Sequence, residues 1–269
     1  MGISYQRGRP GSTSRRRIAR RGLAMLLAAG VTGCAGAGQF RGFRTSDGIG
    51  IAADLHLPEG ALGGQPAPLV VLAHQLYRDR TSWAPLVPRL VESGWAVLAV
   101  DRRGFGGSRG EVASSTALRG ANLANFHLDL LEGIAAVADR AGVDTSRVAI
   151  VASGVSVGSA VTTARLDPSV RSLVLLSGLI PEEEEEFLLA HSEQSVLLVA
   201  AEADPRGAGL MRQYARRLTG PSQEYLELEA GDAAAAGGWE GTDALREGTE
   251  LADAIVWFLE RTLGPGDQP

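Results

Sequence analysis

Five short apolar runs, spaced along most of the chain, constrain its fold more than any other sequence feature. Each has the length of one strand and is apolar at consecutive positions, as expected for strands buried on both faces of a parallel sheet. Segments with helical periodicity separate them, and a hairpin and one shorter strand add to the set. This alternation predicts an α/β fold: one doubly wound, mostly parallel eight-stranded sheet with helices on both faces. The runs are residues 68–74, 95–101, 148–153, 171–177 and 195–201.

The third run leads into the most informative stretch, residues 148–161. Its β-branched residues give way at Gly154 to small residues suited to a helix, and Ser156 lies between Gly154 and Gly158 as Gly-x-Ser-x-Gly. Between a strand and a helix, this pattern is typical of a tight turn that exposes a nucleophilic serine. Glycines leave room for the backbone, and the helix N-terminus points N–H groups toward developing negative charge. Ser156 is therefore the candidate nucleophile.

The first 33 residues have the composition of a signal peptide. Seven arginines and no acidic residue precede an apolar run, residues 23–31, that is too short to span a bilayer as a helix. Val31-Thr32-Gly33-Cys34 then resembles the bacterial lipobox, in which the cysteine is acylated and begins the mature protein. The resemblance implies a lipid anchor at Cys34, a tether at residues 34–39, and a cell-envelope location. The following alanine points to the outer membrane, facing the periplasm.

Composition excludes several classes of function. The net charge is −5, and because the basic residues concentrate in the leader, the remainder is too acidic for a nucleic acid partner. All 26 basic residues are arginine, which excludes Schiff-base and serine–lysine chemistry. The glycines at 104, 106 and 107 fail to form a dinucleotide-binding motif, because Arg109 stands at the last glycine position. The glutamates at residues 182–186 should open a helix rather than converge on a metal, so neither metal nor cofactor is expected.

Four motifs between Phe40 and Leu263 resemble the α/β-hydrolases, in particular small capless members similar to dienelactone hydrolases and bacterial carboxylesterases. The resemblance implies one domain over residues 40–263 followed by a disordered tail over residues 264–269. The short connection between residues 177 and 195 leaves no room for a cap, so the site should be open. The motifs are His74-Gln75-Leu76 after the third strand, Asp101 to Ser108, Gly154 to Gly158, and Ala203-Asp204-Pro205 after the seventh strand.

The same resemblance assigns roles to individual residues. It implies that Ser156 is the nucleophile and that Asp204 is the acid that orients the base. The backbone N–H groups of Val157 and Leu76 would form the oxyanion hole. Gln75 replaces the glycine that is usual between the histidine and that second donor.

The triad histidine is missing from its expected place. In this family it precedes the closing helix, commonly as His-Gly-Thr, and here the sequence is Glu240-Gly241-Thr242. Among the four histidines only His74 ends a strand at the edge that carries the site, which leaves Glu240 or His74 as a surrogate base. A carboxylate near Asp204 would have a raised pKa, so a glutamate base is chemically possible, although Asp204 would repel it.

Two functions follow from this incomplete triad. The first is a catalytically impaired relative of the carboxylic-ester hydrolases that is kept as a binding or scaffold module. Loss of one triad member typically removes about 10⁴- to 10⁶-fold of the rate. The second is a working esterase or acyl hydrolase that uses Ser156, Asp204 and either Glu240 or His74. Both would take a small-molecule ester or acyl ligand, and the sequence identifies no protein partner.

Overall fold

The computed structural model describes residues 4–7, 40–110, 122, 124–228, 241–247 and 250–264. The predictions for Cys34, the tether, Glu240 and residues 265–269 therefore lie outside the described residues. Within those residues, no helix is long and apolar enough to cross a membrane.

The sheet follows the order β1-β9-β8-β7-β6-β4-β5-β3-β2. Strands β4 to β9 are parallel to one another, and the β2–β3 hairpin joins β5 antiparallel at one edge. This confirms the predicted doubly wound, mostly parallel sheet, whose eight strands are β2 to β9. The bounds are β1 Ser4–Arg7, β2 Gly42–Arg44, β3 Gly50–His56, β4 Ala67–Ala73, β5 Ala96–Val100, β6 Val143–Ser153, β7 Val170–Leu176, β8 Ser195–Ala201 and β9 Gln223–Leu228.

Strand β1 adds a ninth strand that the sequence analysis did not predict. It pairs antiparallel with the outer edge of β9, with Tyr5 opposite Leu226. These four residues belong to the segment that we expect to act as a signal peptide. The strand covers the outer edge of β9. If the segment is cleaved from the chain, this cover is lost.

Seven helices are described, and they cover the sheet on both faces. Helices α2 to α5 contribute to the apolar core on one face, and α1, α6 and α7 contribute to the core on the other. The glutamate run opens α4, as predicted. The bounds are α1 Val87–Glu92, α2 Phe126–Val137, α3 Ser156–Leu166, α4 Glu182–Ala190, α5 Pro205–Arg217, α6 Ala244–Glu247 and α7 Glu250–Thr262.

The two cores explain why the strand residues are apolar at consecutive positions. In β4, Leu69 and Val71 face one core while Val70 and Leu72 face the other, and every residue of the strand is buried. Each such side chain contributes about 1.5–3 kcal/mol when it leaves water. Because the parallel strands all end at one edge of the sheet, the residues that follow β4 to β8 are brought together there.

Candidate active site

The turn between β6 and α3 carries the candidate nucleophile. Strand β6 ends at Ser153 and helix α3 begins at Ser156, so the chain reverses through Gly154 and Val155. Gly154 has a φ of 58°, in the left-handed region, whereas Val155 has a φ of −67°. The strand–turn–helix context is thus as predicted, but Ser156 follows the turn and lies in the first helical position.

Ser156 is buried at this position. Only 1% of the residue's surface is exposed to solvent. Its Oγ donates a hydrogen bond of 2.6 Å to the backbone carbonyl oxygen of His74. A carbonyl oxygen accepts a hydrogen bond but does not take a proton at neutral pH. The hydroxyl therefore links α3 to the end of β4. It is not exposed at the turn in the way that the motif predicts for a nucleophile.

His74 does not provide a base for Ser156, which corrects that prediction. Its Nδ1 lies 2.8 Å from the carbonyl oxygen of Gln75 and donates to it, and its Nε2 accepts from the backbone N–H of Arg102 at 3.1 Å. The residue is fully buried, and burial lowers the pKa of His74 to about 4, mainly by desolvation. The ring is neutral at pH 7 and both nitrogens are engaged by backbone groups.

One of the two predicted oxyanion-hole donors, Val157, is engaged within the turn, and the prediction for the N–H of Leu76 remains a prediction. The N–H of Val157 donates to the carbonyl oxygen of Gly154 at 3.2 Å, so this donor is used inside the turn itself. Leu76 lies on the loop after β4, and its side chain packs against Phe105. Val157 therefore does not point a free N–H at a site, and the assignment of this residue is corrected.

Asp204 lies at the expected edge of the sheet, after β8. Its carboxylate accepts from the N–H of Gly207 at 3.0 Å and caps helix α5, with Pro205 in the first turn. A side chain at Gly207 would overlap the Asp204 carboxylate and the Cβ of Ser177, so the carboxylate lies near the end of β7. The structure therefore gives Asp204 the role of a helix cap at the place assigned to the triad acid.

Gln75 holds the segment that contains the Gly-Thr pair. Its Oε1 accepts from the N–H and the Oγ1 of Thr242, at 3.3 and 2.9 Å. Gly241 approaches Ser153 so closely that a Cβ on it would overlap the serine Oγ. The replacement of the usual glycine by Gln75 thus has a structural reason, which the sequence analysis did not recognise.

An ion pair strengthens the same contact. Arg78 donates to both carboxylate oxygens of Asp243, with its Nη2 at 2.8 and 2.9 Å. We call residues 74–78 together with residues 241–243 the rim clamp. Glu240 precedes the clamp directly and lies outside the described residues, so its prediction as a base remains a prediction.

Arg102 is a buried charge that the sequence analysis missed. The guanidinium stacks on the ring of Phe126 at 3.7 Å, and both of its Nη groups lack a hydrogen-bond partner in the described part of the chain. Burial lowers the pKa of Arg102 to about 9. A buried guanidinium whose Nη groups lack hydrogen bonds is costly, although the Asp129 carboxylate offsets part of that cost, and the hydrophilic residue type alone would have suggested an exposed position.

Two non-glycine residues near the turn have left-handed backbones. Among the described residues these are Tyr77, with a φ of 60°, and Ser177, with a φ of 49°. They follow β4 and β7, the two strands that flank β6. Such conformations cost about 1–3 kcal/mol each and tend to cluster at functional sites. Apolar side chains are exposed at the same edge, namely Tyr77, Val155 and Leu179.

Comparison with known proteins agrees with this architecture. A match of 48% identity to epoxide hydrolase A of Mycobacterium tuberculosis spans 46 residues, which are 17% of this chain and 14% of that protein. The esterase of Pyrococcus furiosus superimposes with a TM-score of 0.61 at 16% identity, covering 82% of this chain and 91% of the other. A dienelactone hydrolase from Anabaena variabilis gives 0.59 at 15% identity, covering 84% and 98%.

The two structural likenesses describe the fold, because both sequences are too distant to carry an activity. The family model for the alpha/beta hydrolase fold matches residues 68–234, a span that runs from β4 through the turn after β6 to β9. It therefore includes Ser156, His74 and Asp204. The chain belongs to the α/β-hydrolase family.

Proposed function

We propose that this chain is a catalytically impaired member of the α/β-hydrolase family, kept for binding a small ester or acyl ligand rather than for rapid hydrolysis. The observation that carries the proposal is the environment of Ser156. Its hydroxyl is buried and donates to the backbone carbonyl of His74, and the imidazole of His74 is engaged elsewhere.

The energetic argument is direct. A serine hydroxyl attacks an ester efficiently only when a neighbouring base accepts its proton. The carbonyl oxygen of His74 is too weak a base for this role, and desolvation opposes protonation of the His74 ring. With the Ser156 hydroxyl and the His74 imidazole both engaged by backbone groups, we expect turnover about 10⁴-fold or more below that of an intact triad.

An alternative is a working esterase that uses Ser156, Asp204 and Glu240. It is favoured by the position of Asp204 after β8 and by the likeness to the Pyrococcus furiosus esterase and the Anabaena variabilis dienelactone hydrolase. Under this alternative, Ser156 must leave the His74 carbonyl before it can react.

A fluorophosphonate probe separates the two proposals. We expect the folded wild-type protein to remain unlabelled after an hour at a probe concentration that labels an active esterase within minutes. Mass spectrometry of the digest identifies the modified serine. Rapid formation of an adduct on Ser156 would contradict impaired catalysis and establish the alternative.

We also propose that the protein is anchored to the cell envelope through a lipid on Cys34. The support comes from the basic leader, its short apolar run and the lipobox-like Val31-Thr32-Gly33-Cys34. The expected location is the outer membrane, facing the periplasm. In cells, wild-type protein should partition into the detergent phase and incorporate labelled palmitate, whereas Cys34→Ala should do neither. Equal behaviour of the two proteins would contradict the anchor.

A further inference from the structure

The turn after β6 fits two overlapping small-residue patterns. One is Gly154-Val155-Ser156-Val157-Gly158, centred on Ser156. The other is Ala152-Ser153-Gly154-Val155-Ser156, centred on Gly154 two residues earlier. Both have small residues two positions before and after the centre, as the tight turn requires. The sequence pattern alone therefore does not say which residue stands at the apex.

The backbone distinguishes the two patterns. A nucleophile at such a turn sits in a strained conformation between strand and helix. Within the described part of the turn, Gly154 alone has a left-handed φ, whereas Ser156 is already helical. The N–H of Gly154 still bonds to the carbonyl of Leu176 at 2.9 Å, which places Gly154 directly at the end of the sheet. The apex of the turn is Gly154.

The flanking positions agree with this assignment. Ala152 and Ser156, two residues to either side of Gly154, are 0% and 1% exposed, as expected for small residues packed beneath an apex. Gly178 also packs tightly against the turn. A Cβ on Gly178 would overlap the carbonyl oxygen of Gly154 and the side chain of Val157. In this arrangement Ser156 is a flanking small residue, and its buried bond to His74 follows from that place.

We propose that Gly154, not Ser156, occupies the position of the nucleophile, so that the chain has glycine where the family attaches its reactive hydroxyl. This inference deepens the proposed function and rests on it. The backbone donor after the apex becomes the N–H of Val155 in place of Val157. The site retains a turn shaped to receive a carbonyl group but has no atom at the apex with which to form an acyl intermediate.

Restoring the missing groups tests the assignment. Four folded proteins are compared with a fluorophosphonate probe: wild type, Glu240→His, Gly154→Ser with Glu240→His, and Gly154→Ala with Glu240→His. In the labelling step the serine oxygen bonds to phosphorus, fluoride leaves, and the serine proton passes to the introduced imidazole. We expect adduct formation at residue 154 in the serine double variant, about 100-fold or more faster than in the others.

The remaining proteins act as controls. In the alanine double variant, residue 154 carries a side chain in the same left-handed conformation as in the serine double variant, but it has no hydroxyl. The two variants should therefore be equally stable, and the alanine variant should remain unlabelled. Glu240→His alone should also remain unlabelled, because it adds a base without a nucleophile at the apex. Circular dichroism and thermal unfolding establish that each protein is folded before labelling.

The outcomes separate this inference from the proposed function. An adduct on Ser156 in Glu240→His, with wild type unlabelled, overturns the assignment of Gly154 and leaves impaired catalysis intact. An adduct on Ser156 in wild type overturns both. A folded serine double variant without an adduct also overturns the assignment. Should the double variants fail to fold, Glu240→His alone decides, since its lack of an adduct supports the assignment and an adduct on Ser156 overturns it.

Discussion

The burial of His74 makes stability depend on pH over a defined window. The pKa of this residue is about 4 in the folded protein and 6.5 when it is exposed. Between these values the unfolded chain binds a proton that the folded protein does not. The free energy of unfolding therefore falls as the pH drops from 6.5 to 4, by about 3 kcal/mol from this residue.

Urea unfolding at pH 7 and pH 4 measures this effect. His74→Gln should be less stable at pH 7 but should lose about 3 kcal/mol less than wild type on acidification. The pKa of Asp47 is lowered to about 2 by hydrogen bonding to Arg103, so this residue affects stability mainly below its usual value of 3.8, and it does so equally in both proteins. Equal pH dependence in wild type and His74→Gln would contradict the buried, neutral ring.

Ser156 should matter to stability rather than to catalysis. Removing the hydroxyl in Ser156→Ala deletes one buried hydrogen bond to the His74 carbonyl, at a cost of about 1 kcal/mol in the free energy of unfolding. Ser159→Ala, on the same helix and half-buried, is the matched control and should cost less. Any ester hydrolysis should be unchanged in both variants. Complete loss of a measurable activity in Ser156→Ala alone would show that this serine is the nucleophile.

At the residue scale, the sequence predicts the turn but not its register. The β-branched run that ends near Gly154 and the small residues beyond it are sufficient to place a strand, a turn and a helix. Both overlapping patterns fit the sequence equally well. The backbone dihedral angles show which residue lies at the apex, and the sequence does not reveal them. Similarly, the place of His74 at a strand end is predictable, whereas the N–H of Arg102 that engages its ring comes from the loop after β5.

At the scale of elements, close packing behind the turn should make Gly178 intolerant of a side chain. A Cβ there would overlap the carbonyl oxygen of Gly154 and the side chain of Val157. Gly178→Ala should therefore lower the free energy of unfolding by about 1–3 kcal/mol, as overpacking usually does. Gly209→Ala in helix α5 is the control: nothing lies near its Cβ, and helix propensity predicts a gain of about 0.5–1 kcal/mol. Chemical denaturation measures both, and equal effects would contradict the packing argument.

The rim clamp should hold residues 241–247 against the loop after β4. Thr242→Val removes the Oγ1 donor to Gln75 and leaves the longer bond from the backbone N–H. Amide hydrogen exchange in residues 241–247 should then become faster, with about 1–2 kcal/mol lost locally. Thr162→Val, which loses bonds to Glu184 and to the carbonyl oxygen of Gly158, is the control and should leave that exchange unchanged. No change in Thr242→Val would show that the clamp depends on Arg78 and Asp243 alone.

The strands are predictable at this scale because burial on both faces imposes a continuous apolar run. Residues 83–93 form one of the segments with helical periodicity, but they do not fold as one regular helix. A single 3₁₀ turn, Arg80–Trp83, precedes α1, which begins only at Val87. Pro85 and Pro88 explain the interruption, since proline lacks the N–H that a continuous helix requires. The rim clamp was not predictable, because its two segments are far apart in the sequence.

For the whole molecule, the two apolar cores of the described residues lie within Phe40 to Leu263. In the described part of the chain, residues from Phe40 onward cover both faces of the central strands. Strand β1 pairs four residues with β9. If the leader is removed before Cys34, as we propose, the mature protein keeps these core residues and loses the β1–β9 pairing.

This arrangement predicts the behaviour of a protein that lacks residues 1–39. We expect it to unfold cooperatively, with a midpoint within a few degrees of the full chain, because each lost strand bond contributes only about 0.5–1.5 kcal/mol. Exchange of the β9 amides that face β1 should become faster, since an unpaired edge exposes its N–H groups. Thermal denaturation and hydrogen exchange measure the two effects. Loss of cooperative unfolding would show that the N-terminal strand is an integral part of the fold, and would count against its removal as part of a signal peptide.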